Sequence, residues 1–181
     1  SPFTIPGLTN GATYTVAIRA VSAAGVGAMS NTRQGTPYTY PSAPDAASII
    51  ANGGNRQITV SWPAANLNGG VLGSYTATAF SDITSGSTIG YCTTTSLSCV
   101  ITGNVGTMVN GTTYYVSLQT MNSASMYSVR SAPRVAATPN TTPGAPTGVG
   151  ASGGNTTATV SWIAPMSTGA SAITSYTVWC S

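Results

Sequence analysis

The side chains able to carry chemistry in this chain are few. Five arginines (Arg19, Arg33, Arg56, Arg130, Arg134), two aspartates (Asp45, Asp82) and three cysteines (Cys92, Cys99, Cys180) are the whole set, because histidine, lysine and glutamate do not occur among its 181 residues. Nucleophilic and general acid–base catalysis need a group that titrates near neutrality and a partner that orients it. A Ser/His/Asp triad is therefore excluded, and a carboxylate pair would require Asp45 and Asp82 to meet across different strands. Calcium sites draw on several carboxylates, and zinc sites on histidines or a second cysteine pair. The sequence thus predicts no enzyme activity, no cofactor and no metal.

The cysteines point to covalent structure instead. Cys92 and Cys99 flank Thr93-Thr94-Thr95-Ser96-Leu97-Ser98, a spacing that a short β-hairpin brings within disulfide reach. A disulfide is expected there, and it goes with an oxidising, extracellular setting. Cys180 is the odd one, and two readings stay open: a partner just beyond this sequence, or a bond between chains. By an offset of one hundred residues its counterpart is Phe80.

Charged residues make up 4% of the chain, and the formal net charge is +3. Phosphate binding needs clustered cations, and these arginines are scattered along the sequence, so no nucleic-acid partner is expected. So few charges leave sheet edges without their usual protection. Solubility must then rest on Ser, Thr and Asn, or the surface is covered by sugar or by neighbouring subunits. No apolar run reaches the roughly 18 residues that mark a membrane span. The sequence opens without an initiator Met, signal peptide or sorting signal, from which a fragment of a longer precursor is expected.

Self-similarity at a fixed spacing sets the architecture. Ile58-Thr59-Val60-Ser61-Trp62 returns one hundred residues later as Ala158-Thr159-Val160-Ser161-Trp162, and Leu8-Thr9-Asn10-Gly11-Ala12-Thr13-Tyr14 returns as Met108-Val109-Asn110-Gly111-Thr112-Thr113-Tyr114. Runs of Val, Ile, Thr and Tyr broken by Gly, Pro, Asn and Ser predict many short strands and no helix. The expected strands are Phe3–Ile5, Tyr14–Val21 and Asn31–Thr36, then, beyond a stiff linker Pro37–Pro44, Ala47–Ala51, Ile58–Trp62 and Ser74–Phe80. A turn over Asn52–Asn55 separates the first two of that second set. A cysteine hairpin (Tyr91–Thr94 with Ser98–Thr102), Tyr114–Met121 and Val129–Ala136 follow, and the pattern restarts with Asn155–Trp162 and Ser175–Trp179. About seven short strands per hundred residues is the signature of a β-sandwich.

The expected units are residues 1–38, the C-terminal half of a module; 39–140, a complete module; and 141–181, the N-terminal half of another. Neither half can bury its apolar face alone, since isolated hairpins are marginal. Each would be completed by a continuous array in the same chain or by strands of a neighbouring copy.

The repeats resemble fibronectin type III domains of the bacterial secreted kind. The resemblance is carried by Ser42-Ala43-Pro44 and Gly144-Ala145-Pro146 at the module openings, by Trp62 and Trp162, and by Gly73-Ser74-Tyr75-Thr76 and Thr174-Ser175-Tyr176-Thr177. The spacing from Leu8 to Tyr14 and from Met108 to Tyr114 is similar to that family's tyrosine corner. It implies an all-β chain of tandem immunoglobulin-like β-sandwiches, one complete and two partial. In the family the tryptophan sits in the core and the corner tyrosine bonds back to the backbone, so Trp62, Trp162, Tyr14 and Tyr114 are expected as packing residues. Two loops depart from the pattern: the insertion Asn104-Val105-Gly106-Thr107, and the segment Asn122 to Val129, which does not match Ser22 to Gly27. No Arg-Gly-Asp occurs.

Tyr38, Tyr40, Tyr75, Tyr91, Tyr115, Tyr127, Trp179 and Met126 could form an aromatic surface for a glycan or a protein, or pack within the sandwich and linkers. Asn110, Asn140 and Asn155 fit the glycosylation sequon in a chain where chance matches are expected. The function expected is a non-enzymatic extracellular structural or adhesive repeat protein, forming a stalk, surface filament or fibre. Its partners would be copies of itself, head to tail or lateral, or neighbouring repeats, together with surface glycans. The alternative is a spacer or carbohydrate-binding accessory module of a secreted polysaccharide-degrading enzyme.

Overall fold

The structure is a computed structural model and describes residues 2–180. Strands of period two, apolar on one face, need a second sheet to cover that face, and the chain supplies two. The strands are β1 (Tyr14–Val16), β2 (Val21–Ser22), β3 (Gly25–Val26), β4 (Arg33–Gly35), β5 (Ile50–Gly54), β6 (Gln57–Ser61), β7 (Leu72–Phe80), β8 (Thr88–Thr94), β9 (Ser98–Thr102), β10 (Tyr114–Asn122), β11 (Val135–Ala137), β12 (Thr147–Gly153) and β13 (Ala158–Ile163). One sheet runs β5-β6-β9 and the other β11-β10-β7-β8, with every neighbouring pair antiparallel. These seven strands form an immunoglobulin-like β-sandwich.

Alternation places the core. Ile58, Val60 and Trp62 from one sheet face Tyr75, Ala77, Ala79, Tyr114, Val116 and Leu118 from the other, with Ile49, Ile101 and Met108 filling the ends. The Trp62 and Tyr75 rings meet edge to face at 5.6 Å, a favoured arrangement for aromatic pairs.

Several strand boundaries differ from those expected. Asp45 accepts from the Ala47 N–H and the Ser48 hydroxyl, closing a single 3-10 turn over Ala46–Ser48, so β5 starts only at Ile50. It then runs through Gly53 and Gly54, where a turn was expected. Gly53 lies flat against the segment just after β11: a Cβ there would meet the Thr138 carbonyl oxygen, the close backbone approach that a glycine inside a strand marks.

The cysteine hairpin is also corrected. β8 pairs with β7, setting Cys92 beside Ala77, while β9 pairs with β6, setting Cys99 beside Val60. The short link between them crosses from one sheet to the other, so the Cys92–Cys99 disulfide ties the two sheets together. Spacing alone is equally compatible with a hairpin and with a sheet-to-sheet crossing.

Three further differences share one cause. β10 is continuous from Tyr114 to Asn122 because β7 pairs along its length. The equivalent run Tyr14–Val21 pairs only at β1 with β4, then breaks before the two-residue hairpin of β2 and β3. Phe3–Ile5 and Ser175–Trp179 form no ladder for the same reason: no strand among the described residues pairs with them. Val116 and Leu118 are fully buried, whereas their counterparts Val16 and Ile18 are 39% and 77% exposed.

Candidate functional site

The charged residues do not converge on a reaction centre. Asp45 caps its own turn, and Asp82 Oδ1 accepts from the Thr84 N–H, the Thr84 hydroxyl and the Ser85 N–H. These bonds, led by that from the Thr84 N–H, hold the Asp82 carboxyl below the usual carboxylate range. Among the described residues no group of three or more metal-ligating side chains assembles.

What the fold does assemble is a backbone joint, and it does so twice. In the first joint Gly11 N–H donates to the Pro37 carbonyl (2.9 Å), Thr39 N–H to Asn68 (3.3 Å) and Ser42 N–H to Asn66 (2.8 Å). In the second, Gly111 N–H donates to Pro139 (2.9 Å), Thr141 N–H to Gly169 (2.8 Å) and Gly144 N–H to Ser167 (2.9 Å). Each joint therefore brings together three pieces: the turn before a tyrosine strand, a proline-bearing connection, and the loop after a tryptophan strand. The prolines fix the connection in extended form, which leaves its free N–H and C=O groups in line to pair with that loop. In the first joint the side chains add to this, since Asn68 Nδ2 donates to Tyr40 O (2.8 Å) and Asn122 Nδ2 to Thr39 O (3.4 Å).

The loop that docks is a tight turn with two consecutive left-handed residues. These are Asn68 (φ 47°) and Gly69 (φ 85°) in one joint, and Gly169 (φ 72°) and Ala170 (φ 67°) in the other. The Asn66 side chain accepts from the Asn68 N–H, and the Ser167 hydroxyl from the Gly169 N–H. Glycine is required where the backbones are closest: a Cβ on Gly69 would lie 2.3 Å from Gly11 N, and one on Gly169 would lie 2.0 Å from Thr141 O. The expected stiff linker Pro37–Pro44 is in fact clamped by glycines and asparagines that the prolines alone do not announce. The Asn-Gly and Thr-Gly pairs at Asn68-Gly69 and Thr168-Gly169 were the available signal.

The two joints also fix the register. Tyr176 stacks on Trp162 at 5.2 Å as Tyr75 stacks on Trp62, which requires one extra residue in the second loop. Cys180 then corresponds to the inward-facing Ala79, not to Phe80. It is a free, exposed thiol in the structure.

The corner tyrosines are built alike. The Tyr14 hydroxyl accepts from the Thr9 N–H (3.0 Å) and that of Tyr114 from the Val109 N–H (2.9 Å). Tyr114 and Trp62 are buried, while Tyr14 and Trp162 are only partly covered. Of the sequon asparagines, Asn140 and Asn155 are exposed, whereas Asn110 bridges a turn: its Oδ1 accepts from Arg56 N–H and its Nδ2 donates to Asn55 Oδ1. Tyr75 belongs to the core and Tyr115 and Met126 are half-buried, while Tyr38, Tyr40, Tyr91, Tyr127 and Trp179 are exposed.

The inserted Asn104–Thr107 segment shields the outer edge of β8. Asn104 pairs both backbone groups of Tyr91 through its side-chain amide, and the Val105 and Gly106 N–H groups donate to Ile89 O. In a chain so poor in charge, this covers an edge that would otherwise invite another strand.

The chain matches no family model and no curated protein. Among solved structures it is similar to the chicken CNTN1 FN1-FN3 domains, with 19% identity and a TM-score of 0.49 over 86% of this chain and 53% of that one. It is also similar to domains d3-d4 of the rat CD45 extracellular region (15% identity, TM-score 0.48, 75% and 67% covered). A third likeness is to a β-1,2-glucanase from Parabacteroides distasonis (15%, 0.43, 57% and 13%). The chain thus spans about half the length of the CNTN1 structure. The strand order and core define the sandwich without help from these likenesses.

Proposed function

We propose that the chain is a stretch of an extracellular, non-enzymatic array of tandem sandwiches that serves as a stalk, surface filament or adhesin shaft. The observation that supports this is the joint rebuilt twice from the same backbone bonds. An extended connection hydrogen-bonded to its neighbours has no free hinge, so each module adds to the last in one relation and the result is a rod. The disulfide between sheets suits an oxidising, extracellular setting. The open apolar faces at Val16 and Ile18, and at Val160, Trp162 and Val178, would be covered by adjoining strands of a continuous array. Copies of the chain are the other source of such strands, and exposed tyrosines are where surface glycans would be met.

Electron microscopy of native material tests this reading. Rods carrying many equal beads are expected, while one or two beads attached to a catalytic domain would favour a spacer in a secreted enzyme. With so few charges, salt has little to screen. Rods are therefore expected to keep their length and thickness up to about 0.5 M NaCl, and dissociation there would count against the proposal.

A further inference from the structure

The outer face of the four-stranded sheet carries a second feature, away from both joints. Thr78 and Phe80 of β7 and Ser117 of β10 alternate with the core residues and so point outward, yet they are 3%, 8% and 1% exposed. The segment from Arg130 to Arg134 covers them. The guanidinium carbon of Arg134 lies 3.7 Å from the Phe80 ring centroid, and that of Arg130 lies 5.4 Å from it. Arg130 Nη1 donates to Thr78 Oγ1 (3.1 Å), and Arg134 Nη1 to the Asp82 carbonyl oxygen (2.6 Å). Two arginines four residues apart are thus held on one ring from a remote strand.

The carboxylate closest at hand, Asp82, feels the Arg134 charge but accepts no hydrogen bond from either guanidinium. Asp82 turns its Oδ1 to Thr84 and Ser85. Partial burial, and then the Arg134 charge, hold the Arg130 guanidinium below its ordinary range. Beside the pair opens a cleft of about 450 Å³, lined by Ile83, Thr84, Ser117, Arg130, Ser131 and Arg134 among others. The Ser117 hydroxyl on its floor is buried without a hydrogen-bond partner, an unfavourable state for a polar group. A guanidinium has five N–H donors and no acceptor, and each of these uses one in the bonds above. The cleft therefore offers positive charge and spare donors in fork geometry, which is the complement of an oxyanion. Its volume falls in the range of sites for organic ligands, about 300–1,000 Å³, and exceeds what an inorganic ion fills.

We propose that the Arg130–Arg134 cleft binds the carboxylate of a sugar acid, of the kind carried by acidic polysaccharides. This stands independently of the array reading. Calorimetric titration of the full chain with glucuronate, glucose and inorganic sulfate tests it. Glucuronate is expected to bind saturably and glucose not to bind. Arg130→Gln, at an exposed side chain with a single hydrogen bond, is expected to weaken glucuronate binding about tenfold or more. Arg134→Lys, which keeps the charge and loses the fork, is expected to weaken it too, and Arg56→Gln is expected to leave it as it was. No saturable binding of glucuronate by about 50 mM, equal binding of glucose, or an unaffected Arg130→Gln variant would overturn the proposal. Equal affinity for sulfate and glucuronate would reduce the cleft to a simple anion site and overturn the assignment to a sugar acid.

Discussion

Trp62→Ala is expected to destabilise the seven-stranded sandwich by about 3–5 kcal/mol, the range for removing a fully packed large aromatic. Trp62 is 4% exposed and touches Tyr75 edge to face, so truncation leaves a cavity between the two sheets that the disulfide prevents from collapsing freely. Its indole N–H is buried without a partner, so Trp62→Phe keeps much of the packing while removing an unpaired donor, and its cost is expected to stay under about 1.5 kcal/mol. Trp162→Ala is expected to cost less than Trp62→Ala, because Trp162 is only partly covered and its sheet has no facing partner among the described residues. Urea denaturation followed by circular dichroism gives all three values. Equal losses for Trp62→Ala and Trp162→Ala would mean that the terminal strands already belong to a closed core.

The second large effect is expected at Gly69→Val. At φ 85° a β-branched residue is strained by about 1–2 kcal/mol, and its Cβ would also lie 2.3 Å from Gly11 N and 2.5 Å from Pro37 O. Both neighbours are backbone, so neither can rotate away. The joint must open, breaking the bonds from Thr39 to Asn68 and from Ser42 to Asn66, while the core at Tyr75 and Val116 lies outside the disturbance. Amide hydrogen exchange is expected to show Thr39 and Ser42 released and Val116 still protected. Loss of protection throughout the middle sandwich would show instead that the loop Asn66–Gly70 is part of the folding core.

Much of the sandwich was legible in the sequence because period-two alternation, Gly- and Pro-rich turns and an internal repeat are local signals. Ile58 to Trp62 and Tyr114 to Met121 could be placed as core strands on pattern alone. What pattern did not reveal depends on pairing across the fold. Whether Cys92 and Cys99 close a hairpin or link two sheets is decided by β6 and β7, remote in sequence from both. Tyr14–Val21 carries the same alternation as Tyr114–Met121 but lacks a strand along its other side, so propensity without a partner gave only three residues of ladder. The Cys180 position slips by one because the second loop holds an extra residue, a shift that the match of Ser74-Tyr75-Thr76 to Ser175-Tyr176-Thr177 carries and the contact of Tyr176 with Trp162 shows. Arg130 and Arg134 stand four residues apart, but nothing local marks them as a pair: what joins them is Phe80, fifty residues earlier on an adjacent element. The joints were read as linkers because prolines announce extended backbone but do not say what that backbone will bond to.

A rod requires the connections to be held rather than free, and hydrogen exchange at the two joints of the unaltered chain measures that directly. The Thr39, Ser42, Thr141 and Gly144 amides are expected to exchange at least about tenfold slower than an unstructured peptide, with both joints protected. Exchange of these four amides at the unstructured rate, alongside a protected Val116, would show beads on flexible string and contradict the rod.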